Sequence, residues 1–114
     1  MFKNFTEEYG EIRPIEEFLP QDIGVYERTY LITRDALTSP KQAAAHDVHY
    51  AIEEWEDLKL CVSDARVSDL VGVVIELLEK VFQQRRLSLA DMARGKASLV
   101  MIGGFLGLPS SRAA

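Results

Sequence analysis

The longest regular pattern of apolar and polar positions runs over residues 63–87. Set Val67 at zero and step 100 degrees per residue, the turn of an α-helix. Val67, Leu70, Val71, Val73, Val74, Ile75, Leu77, Leu78, Val81 and Phe82 then cover roughly 200 degrees of the circumference. A surface helix of a globular protein usually shows a stripe little more than about 100 degrees wide. Asp69, Gly72, Glu76, Glu79, Lys80, Gln83 and Arg86 share the remaining arc. Such a helix is either sandwiched within its own domain or meets a second chain. Ser63-Asp64 and Ser68-Asp69 are two candidate caps for its start, and Arg85 and Arg86 suit the negative end of its dipole.

A second helix is predicted over residues 39–62. Ser39 is placed to cap, Pro40 suits the first helical position and Gln42 completes a capping box. Ala44, Val48, Ala51, Ile52, Trp55, Leu58 and Val62 fall on one stripe, with His46, His49, Glu53, Glu56 and Asp57 opposite. A third helix is predicted over residues 88–108. Ser88 and Asp91 form a capping-box start, with Leu87 and Met92 as its hydrophobic staple. From Ala97 this helix is apolar on every side, and Gly107-Leu108-Pro109 is its stop. Gly103 and Gly107 share a side on which another backbone can approach.

Residues 1–38 read as an N-terminal arm. Phe2, Phe5, Tyr9 and Phe18 are aromatic anchors among acidic residues, and Pro14 and Pro20 impose local extension. Gln21 to Gly24 has turn chemistry. The β-branched and aromatic run over residues 25–33 favours a strand. No other segment offers a partner strand, so this one must pair with a second copy, pair with a partner, or be helical. The expected fold is therefore mostly α: one small helical domain of about three helices, with an extended arm that carries at most one strand.

Composition narrows the function classes. At 114 residues the length is that of one domain, 47 % hydrophobic and 27 % charged, which is a globular balance. The net charge of −5 argues against direct nucleic-acid binding, which draws on Lys and Arg at phosphates, and against an anionic membrane surface. A single cysteine, Cys61, permits no internal disulfide and fits a reducing cytoplasm, where it reads as a small buried hydrophobe. The longest uncharged run, residues 97–111, is too short in apolar residues to span a bilayer.

Candidate chemistry is thin. His46, His49 and Glu53 share a helical face, and two imidazoles with a carboxylate can bind a transition metal. That face is the exposed acidic one, and the chain has no third histidine to complete a shell. The carboxylate runs at Glu7, Glu8, Glu11, Glu16 and Glu17, and at Glu53, Glu54, Glu56 and Asp57, read as solvated faces and not as acid–base groups held at a substrate. Gly103-Gly104 lacks the lysine and the strand of a phosphate loop. No catalytic, cofactor-binding or metal residue is assigned, and the chain reads as a non-enzyme. The surplus apolar surface instead predicts a homodimer or partner interface through Val67, Val71, Val74, Ile75, Leu78, Phe82, Leu99, Ile102, Phe105 and Leu106.

The run from Ala97 through Ile102, Gly103-Gly104-Phe105 and Leu106 to Gly107-Leu108-Pro109 resembles the apolar closing helix of the small quorum-sensing antiactivators of the QslA type, and more distantly of the TraM type. Size, acidity and helical pairing are similar too. The resemblance implies a helical dimer that binds a LuxR-type transcription factor and keeps it from DNA without touching DNA itself. Two other readings stay open. Gly107-Leu108-Pro109-Ser110-Ser111-Arg112 is similar to the ending of some phage terminase small subunits, which assist DNA packaging. An acidic helical protein also suits an immunity protein that neutralises a basic toxin.

Overall fold

Stretches of 17 to 19 residues with a 3.6-residue apolar period build each wall of the molecule. The computed structural model describes the backbone of residues 20–112 and the side chains of residues 24–110. The elements are α1 (Pro20–Thr38), a 3-10 turn (Pro40–Gln42), α2 (Ala45–Cys61), α3 (Ala65–Phe82), α4 (Leu89–Leu106) and one further turn, α5 (Pro109–Arg112). The protein is mostly helical, and the described residues contain no strand. Of the expected arm, residues 1–19, with Phe2, Phe5, Tyr9 and Phe18 and the first carboxylate run, lie outside the described residues.

Neighbouring helices alternate in direction. His49 meets Phe82 and Lys59 approaches Gly72, so α2 and α3 run oppositely. Lys80 pairs with Asp91, and Leu77 lies against Gly95, which sets α4 antiparallel to α3. Leu37 also lies against Gly95 while Ser110 donates to Glu27, so α1 runs antiparallel to α4 and closes the ring. The result is an up-down-up-down arrangement of four helices about one core.

The strand expectation over residues 25–33 is overturned, as is the turn at residues 21–24. Both belong to α1. Tyr26, Thr29, Tyr30, Thr33, Ala36 and Leu37 recur at i, i+3, i+4, i+7, i+10 and i+11, and all are buried. Threonine occupies two inward positions, which masks the helical period. Inside the helix each threonine hydroxyl donates four residues back: Thr29 to Val25 O at 2.9 Å and Thr33 to Thr29 O at 2.7 Å. Thr33 Oγ1 in turn accepts the indole N–H of Trp55 at 2.8 Å. Trp55 is fully buried and stacks on Tyr26 at 6.1 Å. The polar atoms of this inner layer are thereby satisfied.

The other boundaries tighten. The helix expected over 39–62 begins at Ala45 because Pro40–Gln42 forms a separate 3-10 turn, and the Ser39 side chain makes no cap bond. Of the two candidate caps for α3, Asp64 is the one used, accepting from the backbone N–H of Arg66 at 2.9 Å and of Val67 at 3.4 Å. α3 ends at Phe82, short of Leu87. Gln84 there holds a left-handed φ of 59°, and Arg85 N–H donates to Lys80 O at 2.8 Å. The Ser88–Asp91 capping box is formed in both directions. α4 ends on Gly107 at φ 71°, where Leu108 N–H reaches Gly103 O at 2.9 Å and Leu108 is fully buried. Cys61, read as a buried hydrophobe, is exposed at the end of α2.

Candidate functional site

From Ala97 onward the sequence leaves α4 apolar all round, and the fold covers only one side of it. Gly95, Ser98, Leu99, Ile102, Gly103 and Leu106 face inward. Gly95 is the contact point with two neighbours at once: a β-carbon there would lie 2.8 Å from Leu77 Cδ1 and 3.0 Å from Leu37 Cδ1. Close seating on α1 and α3 turns the opposite side of α4 outward. There Met101 is 61 % exposed, Val100 46 % and Phe105 36 %. Ala93, Ala97 and Gly104 are exposed between them. On a helical projection these six residues span about 140 degrees. They form a ridge with a trough of small residues along it. Lys96 borders one side, and Arg94 stands on the arc itself, one turn and a half or more ahead of Met101 and Phe105; both cations are exposed. Arg94 pairs with Asp91 at 3.7 Å, and Lys96 makes no ion pair among the described residues.

Two lesser features flank the bundle. Phe82, 44 % exposed at the end of α3, tilts against His49 at 5.7 Å, and His49 lies 3.7 Å from Glu53. His46 pairs with its neighbour Asp47 at 3.1 Å, so the two histidines do not converge. No group of three or more metal-ligating side chains occurs among the described residues. A cleft of about 410 Å³ opens at the α1–α2 elbow, lined by Ile32, Asp35, Gln42, Asp47 and Val48 among others. Asp35 lies 3.5 Å from the Arg34 guanidinium, and Asp47 lies against the His46 ring. No described helix is long and apolar enough to cross a membrane.

The electrostatics belong to the helix starts. The Arg66 side chain, with the N–H groups of Arg66 and Val67, holds the Asp64 carboxyl below its ordinary value. The Ser88 N–H, with Lys80 nearby, does the same for Asp91. Partial burial pushes Glu54 up, and repulsion from Asp57 and Glu53 adds to it. No carboxyl is set apart at a cavity by these shifts.

The ten residues expected at an interface divide unevenly. Val67, Val71, Val74, Ile75 and Leu78 are buried in α3, and Leu99, Ile102 and Leu106 in α4, all within the chain's own core. α1, the segment read as an arm, joins α2 in covering them. Phe82 and Phe105 reach the surface, on different elements. Val100 and Met101, the most exposed large side chains of the ridge, were not among the ten. The signal that marks them is the small-residue line Ala93, Ala97, Gly104, spaced four and seven along the same face. No protein-family model, curated protein or solved structure matches the chain.

Proposed function

We propose that this is a non-enzymatic, cytoplasmic regulatory protein that acts by binding another protein along the outer ridge of α4. The observation that supports this reading is the exposure of Val100, Met101 and Phe105 together on one rigid helix. Isolated exposed apolar residues are ordinary, whereas a contiguous set on one face marks a contact surface. The ridge offers a partner an apolar patch with two cations toward its N-terminal end, Arg94 on the same arc and Lys96 beside it. The partner to test first is the ligand-binding domain of a LuxR-type transcription factor, in keeping with the resemblance of this same segment to the antiactivators.

The test is size exclusion with light scattering on the full chain, with and without that domain. A defined complex that is lost in Met101→Glu and kept in the exposed control Leu60→Glu is the expected result. A full-length chain that ignores the receptor overturns the receptor as partner. A complex that survives Met101→Glu overturns the ridge as its surface.

A further inference from the structure

Gly104 interrupts an exposed helical face, where glycine costs about 1 kcal/mol relative to alanine. A β-carbon there would meet nothing within 4 Å, so packing among the described residues does not require a glycine at this position. What a bare backbone does permit is close approach by another backbone from outside. On the helical projection the ridge divides into three columns. Ala97 and Gly104 run down the middle. Arg94, Met101 and Phe105 stand on one flank, and Ala93, Lys96 and Val100 on the other.

This face complements itself when a second copy meets it antiparallel, across a two-fold axis between Val100 and Met101. Ala97 of one chain then faces Gly104 of the other, and the helix axes can close to about 8 Å, the near limit of helix packing. Such a two-fold keeps each flank on its own side. Arg94 falls level with Gly107 of the second copy, about 3 Å along the axis from its Phe105. Arg94 is held only by a surface contact with Asp91 at 3.7 Å, so its guanidinium can turn onto that ring as a cation–π contact. The last turn of α4 carries no basic residue of its own. Arg94 and Lys96 of the second copy lie beside that end, where the helix dipole favours cations. A parallel pairing would instead set each cation against its own kind. The antiparallel one holds Arg94 about 20 Å from its mate, well past the screening length of about 8 Å at physiological salt.

We propose that the α4 ridge seats a second copy of this chain, antiparallel about a two-fold axis at Val100 and Met101, in a weak dimer that a protein partner must displace. This rests on the ridge being the contact surface and names its occupant when no partner is present. One helix pair buries less than the roughly 1,200 Å² of a standard interface, so the dimer dissociates on dilution. Partner binding is then a competition in which the monomer with its free ridge is the binding-competent state.

The experiment is sedimentation equilibrium on the full chain with Cys61→Ser, without any partner, from micromolar to millimolar concentration. A reversible monomer–dimer equilibrium is the expected result. Met101→Glu and Gly104→Leu should each weaken it at least tenfold, and Leu60→Glu should leave it unchanged. Gly104 faces open space, so the Gly104→Leu chain keeps its fold, checked by circular dichroism, and decides the matter should Met101→Glu unfold. A chain monomeric at every concentration overturns the proposal, as does a dimer indifferent to both substitutions. Orientation is read by adding one cysteine to the Cys61→Ser chain and oxidising it. Val100→Cys lies at the two-fold axis and should cross-link readily, whereas Ala93→Cys lies about 22 Å from its mate along the axis and should not. Equal cross-linking at both positions overturns the antiparallel seat. No receptor enters these measurements. A ridge dimer that ignores the receptor removes the receptor alone, and a monomer that binds the receptor through Met101 removes the dimer alone.

Discussion

α3 and α4 are equally long and similarly apolar, yet they use that character differently. α3 sits between α2 and α4 with α1 across it, and seven of its residues are buried. α4 turns one side to the core and leaves Val100, Met101 and Phe105 outside. The difference is set by neighbours, not by hydropathy. A wide apolar stripe is consumed when walls stand on both sides of it, and a residual ridge survives where a helix closes the ring. Total apolarity therefore points to a helix that matters for folding, and only the fold tells which side of which helix is free.

The comparison breaks most visibly with a carboxylate on each helix. Leu78→Glu in α3 buries an unpaired charge, which costs about 3–5 kcal/mol, and the chain should fail to fold. Leu78→Ala is the milder version, with an expected loss of about 2–5 kcal/mol in urea denaturation. Met101→Glu in α4 should stay within about 0.5 kcal/mol of the parent. The single tryptophan, fully buried, serves as the probe in each case. Equal losses at Leu78 and Met101 would mean that the outer side of α4 is covered after all.

Next in size is the polar layer that joins α1 to the bundle. Thr33→Val removes the acceptor of the Trp55 indole and leaves a buried N–H unsatisfied, with an expected loss of about 1–3 kcal/mol. Thr33→Ser keeps the hydroxyl and should recover most of it. The two glycines of α4 then separate its sides. Gly95→Ala forces a methyl against Leu77 and Leu37, both without room to move, and should cost about 1–2 kcal/mol net. Gly104→Ala meets nothing within 4 Å and should stabilise by about 0.5–1 kcal/mol. Opposite signs in thermal melts are the expected outcome.

The smallest effect is the acid limb. Asp64 and Asp91 are held below the ordinary value of 3.8. Their contribution is present above that value and is lost as pH falls through their folded values. Glu54, raised above 4.5, works the other way and gains as acid neutralises it. Melting temperature should therefore hold or rise slightly toward pH 4.5 and fall below about 3.8. Asn caps nearly as well as Asp, so Asp64→Asn should flatten part of the fall while leaving neutral stability nearly unchanged.

Much of this was legible in the chain. The stripes of α2 and α3, the Ser88–Asp91 box and the Gly107 stop rest on local chemistry that sequence states directly. α1 was not legible as a helix, because Tyr26, Thr29, Tyr30 and Thr33 are residues that strands favour, and burial outweighed that propensity. Missing α1 left the core one wall short, which is why eight buried residues read as an interface. The end of α3 was hidden for a different reason: Gln84 takes a conformation that glycine usually announces. The ridge itself was half legible. Phe105 was expected at a contact, but which arc of α4 faces outward depends on how Gly95 seats between Leu37 and Leu77.

Exposed Cys61 has a practical consequence for every test of self-association. With no second cysteine in the chain, oxidation of this surface thiol can join only separate molecules. A preparation stored without reductant would accumulate a covalent pair linked at the foot of α2. In light scattering that pair has the mass of a homodimer and owes nothing to the ridge of α4. Oligomeric state is therefore to be read in reductant, or in Cys61→Ser, where any dimer that persists is held by surface contacts alone.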